Sequence, residues 1–195
     1  MNLEKIKANK KIKKLNESRI FLPKSPVYCK ICFKEIKDDN FIDFFRCNGF
    51  ICYDCYLKLC PYLKKQKFEN VSITRLYLKN EFLTGLVFQY CKGNDYELKN
   101  IFLSYYGPYL RSLYKYYEIY YLKTQYDNIG DRQFLKSKEI YSPLRIKEIK
   151  NIKDLQENSK ILIVGIASEY HQNYLESISY FEKFKPKKIE MLLLY

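Results

Sequence analysis

Two C-x-x-C pairs lie in the first third of the chain, Cys29 with Cys32 and Cys52 with Cys55, and nineteen residues separate them. Each pair presents two thiols from one tight turn, and two such turns facing each other complete a tetrahedral Zn²⁺ site with Zn–S distances of about 2.3 Å. The spacer is within the range that is typical of zinc sites. The sequence therefore predicts a small zinc module over residues 27–63, with these four cysteines as its ligands.

Two other uses of these cysteines make different demands on the chain. A disulfide framework needs an oxidising compartment, whereas residues 1–24 contain no apolar core long enough for a signal peptide. An iron–sulfur cluster usually takes three cysteines that lie close together, and this spacing does not provide them. Both alternatives stay open, but zinc in a cytoplasmic protein is the expectation.

Three further cysteines lie between the pairs or beyond them. Cys47 precedes Cys52 by five residues and would replace a ligand if the turn were built differently. Cys60 and Cys91 are predicted to be packed thiols, because a free cysteine behaves as a small buried apolar group.

The composition is that of a folded protein with a substantial core. The chain has 195 residues, of which 47% are apolar and 17% aromatic, enough for one ordinary domain with a small appendage. No stretch reaches the ~18 consecutive apolar residues that a membrane-spanning helix needs, so no membrane span is expected.

Positive charge is concentrated at the N-terminus. The chain carries 35 basic and 22 acidic residues, and the net charge of +13 attracts polyanions such as nucleic acid. Part of this excess belongs to a composition rich in Lys, Asn, Ile and Tyr, which A- and T-rich codons would impose on any protein. Residues 1–26 are predicted to form a basic tail, either merely solvated or in contact with nucleic acid. The candidate contacts are Lys10, Lys11, Lys13, Lys14, Arg19 and Lys24.

Strand and helix patterns alternate after the cysteine pairs. Residues 53–59 predict a short helix, residues 64–67 a lysine-rich linker and residues 71–78 a strand. Asn80 is expected to cap a helix that Gly93 ends. The apolar face of that helix is predicted to comprise Leu83, Leu86, Val87 and Tyr90.

The middle of the chain gives weaker signals. A second helix is expected over residues 96–104, a break at Gly107-Pro108 and a strand over residues 118–122. Residues 123–159 are polar and weakly periodic, so no element is assigned to them.

The last 35 residues predict a β-α-β unit. Residues 161–164 are branched and apolar, as in a strand buried on both faces. Gly165 ends that strand, Ser168 caps the next helix, and Pro186 closes the helix before an apolar strand over residues 189–194. Such a crossover implies a mainly parallel sheet, so the predicted fold class is α/β.

A four-cysteine module followed by a β-α-β-rich domain resembles the ComF family, proteins associated with bacterial DNA uptake whose main domain has the type I phosphoribosyltransferase fold. The likeness rests on the cysteine module, on residues 76–98 and on residues 161–195. Residues 76–98 are similar to the family's aromatic strand, helix and K-x-x-G-D-x-x-L segment, and residues 161–195 have the layout of its strand, phosphate loop, helix and final strand. The resemblance implies a phosphoribosyltransferase-like domain over residues 68–195.

The phosphate loop that the resemblance implies departs from the family's pattern. Enzymes of this fold usually contain the motif V-D-D-x-x-T-T-G-x-T. Its acidic pair binds the ribose hydroxyls of phosphoribosyl pyrophosphate, and its Thr-Thr-Gly turn binds the 5′-phosphate. Here Gly165 and Ile166 follow the strand in place of the carboxylates. A carboxylate at Glu169 would repel the phosphate, and Tyr170 occupies space that glycine leaves open. The degenerate loop comprises Gly165, Ser168, Glu169, Tyr170 and His171.

No catalytic residue is predicted in this loop. His171 is the only histidine of the chain, and no adjacent Ser, Cys or pair of carboxylates gives it a reaction to assist. The family's Arg-Gly-Phe-Asn-Gln element is not recognisable; residues 128–133 are at best an eroded remnant of it.

The resemblance implies an accessory protein of DNA uptake and competence, with zinc as its cofactor and a degenerate transferase site. Its partners would be single-stranded DNA or other nucleic acid, or a helicase-like competence protein. Two alternatives stay open, an active phosphoribosyltransferase with an altered phosphate loop and a zinc-stabilised protein-interaction adaptor. Whether the chain is an enzyme is therefore open, and absence of activity is the expectation.

Overall fold

The computed structural model describes residues 26–36, 41–43, 49–68, 71–92, 97–121, 135–150, 155, 157–167 and 171–195. The chain divides into two compact units. The first comprises the described parts of Met1–Pro61 together with Tyr77–Leu113, and the second comprises those of Tyr62–Leu76 and Tyr114–Tyr195. The predicted basic tail lies outside the described residues except for Pro26, and the predicted domain boundaries stay predictions.

Short hairpins and short helices make up the first unit. Two antiparallel pairs form, one between β1 (Val27–Tyr28) and β2 (Glu35–Ile36), the other between β3 (Phe41–Asp43) and β4 (Phe50–Cys52). The predicted short helix after the second cysteine pair is confirmed as α1. The helices of this unit are α1 (Tyr53–Lys58), α2 (Glu81–Lys92), α3 (Leu98–Leu103) and α4 (Gly107–Leu113).

Helix α2 forms where the sequence predicts it. The side-chain oxygen of Asn80 accepts a 2.9 Å hydrogen bond from the backbone N–H of Leu83, which confirms Asn80 as the cap. The helix ends at Lys92, and the following Gly93 lies outside the described residues. All four residues of the predicted apolar face, Leu83, Leu86, Val87 and Tyr90, are buried.

The Gly107-Pro108 dipeptide begins a helix. α3 lies within the predicted range 96–104, but α4 follows at Gly107, where the sequence analysis expected only a break in the chain. Proline is tolerated in the first turn of a helix, because the N–H group that it lacks would have no partner inside the helix. The dipeptide therefore separates two helices instead of ending helical structure.

The second unit is a six-stranded sheet with the strand order β5-β6-β10-β9-β7-β8. Every pair from β6 to β8 is parallel, so the predicted α/β class with a mainly parallel sheet is confirmed. The elements are β5 (Pro61–Phe68), β6 (Val71–Tyr77), β7 (Glu118–Tyr121), α5 (residues 135–141), β8 (Lys147–Glu148), β9 (Lys160–Gly165), α6 (His171–Glu182) and β10 (Lys188–Leu193).

The prediction of a linker at residues 64–67 is wrong, because these residues belong to β5 at one edge of the sheet. Residues 64–68 are exposed. An edge strand has a neighbour on one side only, and lysines there discourage pairing with a second sheet. A run of lysines is therefore compatible with a strand in this position.

The predicted β-α-β unit is confirmed, since β9 and β10 pair in parallel and α6 lies between them in the chain. Residues 161–164 are fully buried, as expected for a strand covered on both faces. Alternate residues of the strands pack against α6 on one face of the sheet. That core cluster includes Ile161, Ile163, Ile189 and Met191 of the strands with Ile178 and Phe181 of the helix.

A buried carboxylate lies on the opposite face, at Glu190 of β10. Only 1% of its side chain is exposed, and its Oε1 accepts hydrogen bonds of 2.7 Å from Lys65 and Lys188. Burial raises the pKa of Glu190, but the hydrogen bonds from Lys188 and Lys65 outweigh burial and hold that pKa below its usual value. The charged form of Glu190 therefore stabilises the second unit.

We expect Glu190→Gln to lower the free energy of unfolding at pH 7 by about 2 kcal/mol, because two ammonium groups lose their buried anion. Water screens the partly exposed lysines, which keeps the loss below that of a fully buried pair. In the wild type this contribution is complete above the usual glutamate pKa and disappears as the pH falls through the lowered pKa of the folded state. Urea unfolding at several pH values measures both effects.

Glu148→Gln is the matched control. Glu148 accepts a 2.7 Å hydrogen bond from Lys138 but is 26% exposed. Its replacement should lower the free energy of unfolding by less than about 1 kcal/mol. Equal losses of unfolding free energy in the two variants would show that burial does not strengthen the ion pairs of Glu190.

Candidate metal centre and the carboxyl edge of the sheet

The first cysteine pair lies in the turn between β1 and β2. The backbone N–H of Cys29 donates to the carbonyl of Lys34, and the N–H of Phe33 donates to the carbonyl of Cys29, both at 2.9 Å. Phe33 has a φ of 58°, the left-handed conformation that lets so short a turn reverse its direction. The turn is thus closed by backbone hydrogen bonds around Cys29 and Cys32.

The second pair lies where β4 passes into α1. Cys52 ends the strand and is the N-cap of the helix, and Cys55 lies in the first helical turn. The side chain of an N-cap residue lies over the first helical turn, next to the third residue of the helix, so the Cys52 and Cys55 thiols lie side by side. The N–H of Lys30 donates a 2.9 Å hydrogen bond to the carbonyl of Phe50, which holds the first turn beside β4.

All four predicted ligands are brought together. The sulfur atoms of Cys29, Cys32, Cys52 and Cys55 lie within 4.8 Å of one another, and those of Cys32 and Cys52 are 3.8 Å apart. Neighbouring sulfurs in a tetrahedron with Zn–S distances of about 2.3 Å are separated by about 3.8 Å. The geometry is therefore compatible with a metal ion such as zinc.

The protein environment shifts the pKa values of Cys29, Cys52 and Cys55 in different directions. Burial raises the pKa of Cys29, but hydrogen bonds from backbone amides, including that of Ile31 at 3.4 Å from the sulfur, outweigh burial and lower it to about 7. Burial raises the pKa of Cys55, and hydrogen bonds with the Cys52 and Cys32 thiols raise it further. Burial also raises the pKa of Cys52. A bound cation would displace the protons that these thiols otherwise keep.

Of the remaining cysteines, Cys60 and Cys91 lie outside the cluster. Cys60 and Cys91 are half-buried, less enclosed than the packed thiols that the sequence predicted. Cys47 lies outside the described residues. None of the six cysteines in the described part of the chain forms a disulfide, so the structure contains no disulfide framework there.

We expect metal analysis of the purified protein to find about one ion per chain, which the four-sulfur donor set predicts to be zinc. Cys55→Ser should lose most of this metal and unfold at a lower temperature, because metal binding and folding are coupled in such small sites. Elemental analysis and a thermal melt with and without a chelator measure the two effects.

Cys91→Ser is the matched control, because it also removes one thiol but lies outside the cluster. It should keep the metal content and chelator response of the wild type. Equal metal loss from both variants, or wild-type protein without metal, would contradict a site at the four cysteines.

The carboxyl ends of β9 and β10 are where the resemblance placed a phosphate loop. The carbonyl of Gly165 accepts hydrogen bonds from the Tyr141 hydroxyl at 3.0 Å and from the N–H of Leu194 at 3.3 Å. Ile166 and Ala167 are buried, with 4% and 6% of their surface exposed. The residues that directly follow β9 thus pack inward.

The rest of the predicted loop is only partly described. Ser168, Glu169 and Tyr170 lie outside the described residues, and His171 is the first residue of α6. The nucleic-acid candidates of the basic tail also lie outside the described residues, so their role stays a prediction.

Two features of the second unit were not predicted from the sequence. Tyr141 was missed because residues 123–159 are weakly periodic, although the spacing of Ile140 and Leu144, both buried, was a signal for helical packing. Lys65 and Lys67 were assigned to a linker. In a strand over residues 61–68, Lys65 and Lys67 lie on the same face, because successive side chains of a strand point to opposite faces of the sheet.

Comparison with known proteins finds no matching family model and no significantly similar curated sequence. Within the described residues, no helix is both long enough and apolar enough to span a membrane.

We expect millimolar phosphoribosyl pyrophosphate with Mg²⁺ to leave the melting temperature unchanged, because apolar residues take the place of the carboxylates that would bind ribose. A ligand that binds only the folded state at a hundred times its Kd would stabilise it by about 2.7 kcal/mol. Thermal melts with the ligand, compared with Mg²⁺ and pyrophosphate alone, measure the shift. A rise specific to the complete ligand would favour an active transferase.

Proposed function

We propose that this chain is a zinc-stabilised accessory protein of DNA uptake that binds single-stranded nucleic acid, as its resemblance to the ComF family implies. The observation that carries the proposal is the cluster of four thiols. Four protein ligands leave a tetrahedral ion no open position for a substrate, which is the arrangement of structural zinc. The metal would then hold a binding module together and perform no chemistry.

The spacing of the sulfurs supports zinc over an iron–sulfur cluster. A 3.8 Å separation between Cys32 and Cys52 suits two ligands of one ion. In a 2Fe–2S or 4Fe–4S cluster some of the four thiolates bind different iron atoms with sulfide between them, so the four sulfurs spread more widely than the 4.8 Å found here.

Charge supports nucleic acid as the partner. The net charge of +13 favours association with polyanions, and the resemblance alone supplies the biological process. The basic tail precedes the cysteine module in the chain, so phosphate contacts by the tail would lie close to the module in sequence.

The sheet would serve as a scaffold without transferase chemistry. Ile166 and Ala167 are buried immediately after β9, where ribose recognition requires carboxylates. The proposal therefore assigns no catalytic residue to the chain.

Exposed apolar side chains of the first unit favour a second function, that of an adaptor for a protein partner such as a helicase. Tyr28 and Phe33 are 56% and 77% exposed, and Tyr53 and Leu57 lie one turn apart on α1 with 46% and 48% exposed. Exposed aromatic and aliphatic side chains are typical of protein interfaces.

We expect fluorescence anisotropy to show binding of a single-stranded DNA oligonucleotide that weakens steeply with added salt. The logarithm of the association constant should fall linearly with the logarithm of salt concentration, with a slope of about 0.7 for each phosphate neutralised. A scrambled oligonucleotide of equal length should bind equally well, because phosphate contacts carry no sequence information.

No binding at low salt, together with recovery of a helicase-like protein in a pull-down, would replace the proposal by the adaptor function. Binding that does not respond to salt would contradict the electrostatic argument.

A further inference from the structure

Four lysines of the second unit lie on one face of the sheet. Lys65 and Lys188 both reach the Oε1 of Glu190 at 2.7 Å, so their side chains lie on the Glu190 face. Lys160 is paired in register with Lys188 on the neighbouring strand, and Lys67 follows Lys65 by two residues on β5. Paired residues of parallel strands share a face, as do alternate residues of one strand. We call Lys65, Lys67, Lys160 and Lys188 the lysine row.

The lysine row keeps a net positive charge. Among the described residues, Glu190 is the carboxylate that forms ion pairs with its members, and it pairs with two of them. Lys65 and Lys188 nevertheless remain 42% and 46% exposed, and Lys67 is exposed. Four ammonium groups against one buried carboxylate leave about three positive charges on a surface that water reaches.

Glu190 fixes the position of part of this charge. Because one carboxylate oxygen binds both Lys65 and Lys188, their ammonium groups are held close together before any ligand arrives. Two like charges at such a distance repel each other, and an arriving anion relieves that repulsion. Glu190 is thus a positioning residue beneath the lysine row.

Tyrosine rings lie next to lysine side chains in the second unit. The ammonium group of Lys160 lies 5.8 Å from the centre of the Tyr117 ring, over its face. Tyr116, the residue before Tyr117, is 77% exposed, and the Lys115 ammonium lies 5.1 Å from its ring centre. Aromatic rings among cations are typical of surfaces that bind single-stranded nucleic acid, where bases stack on the rings.

The width of the lysine row matches several phosphates. The row extends from β5 across β6 and β10 to β9, three interstrand steps of about 4.8 Å or about 14 Å in all. Phosphates of one duplex strand repeat every ~3.4 Å along the helix axis, and those of an extended single strand are farther apart, so the row is wide enough for at least two successive phosphates.

We infer that the lysine row binds the sugar–phosphate backbone of single-stranded nucleic acid, with Tyr116 as a stacking platform for a base. This inference rests on the proposed function and adds to it a contact surface on the sheet, separate from the basic tail. The Lys67 and Lys160 ammonium groups contact phosphates directly, whereas Glu190 acts through Lys65 and Lys188.

The test measures binding of a fluorescent oligothymidylate to full-length variants over a range of salt. Lys67→Gln with Lys160→Gln should weaken binding about twenty-five-fold at 0.1 M salt and reduce the salt slope by about 1.4, as expected for two lost phosphate contacts. Neither lysine forms an ion pair with Glu190 in the described structure, so this variant should keep the wild-type melting temperature.

The matched control is Lys138→Gln with Lys147→Gln, which removes the same charge from the β8 edge of the sheet. These lysines pair with Glu148 and Glu118. The control should change affinity less than about threefold, since each of these lysines is already paired with a carboxylate and lies outside the lysine row. Tyr116→Ser should weaken binding about tenfold without altering the salt slope, because stacking releases no counterions.

The possible outcomes distinguish binding by the lysine row, binding by the basic tail and absence of binding. Equal effects of the two lysine pairs would overturn the inference, because net charge alone would then explain the loss. Wild-type binding that is abolished by Lys10→Gln with Lys11→Gln and unaffected by the row variant would overturn the inference and keep the proposed function. Wild-type protein that binds no oligonucleotide at low salt would overturn both. Stronger binding of a duplex than of a single strand would contradict the stacking role of Tyr116.

Discussion

The convergence of four sulfur atoms on one point is the constraint on which the first unit depends. Its strands have only two or three residues each, and an isolated two-stranded hairpin of that size is at best marginally stable in water. The turn after β1 and the junction of β4 with α1 meet at the cysteines, so a metal–sulfur site would supply the stability that these short elements lack. A closed set of four protein donors is typical of structural metal sites, and the proposal of a binding module rests on it.

The second unit is stabilised in a different way. Branched and apolar residues fill one face of the parallel sheet beneath α6, whereas the opposite face carries the ion pairs of Glu190 with Lys65 and Lys188. At the carboxyl edge of β9, apolar residues and the Tyr141 hydrogen bond occupy the place where open α/β sheets usually bind their ligands. The solvent-exposed charges lie instead on the face of the sheet that carries Glu190. The inference drawn from the lysine row follows from this distribution.

Much of this architecture could be predicted because its signals are local. The ligand set followed from spacing, the Asn80 cap and the buried face of α2 from periodicity, and the β-α-β unit from one run of branched residues. The failures have a common physical cause. The strand β5 looked like a linker because the role of its lysines depends on its place at the sheet edge, and Tyr141 acquires its role only through a partner 24 residues away. The lysine row depends on strand register, which no local pattern specifies.

The edge position of β5 has a consequence for the behaviour of the chain in concentrated solution. Among the described strands β5 has a neighbour on one side only, so its other side can pair with an extended chain, and exposed ammonium groups discourage such pairing with a second copy. A polyanion that neutralised Lys65 and Lys67 would also remove this mutual repulsion. The bound polyanion and a second copy of the protein would then compete for β5. The ratio of polyanion to protein would determine whether the protein stays dispersed or aggregates.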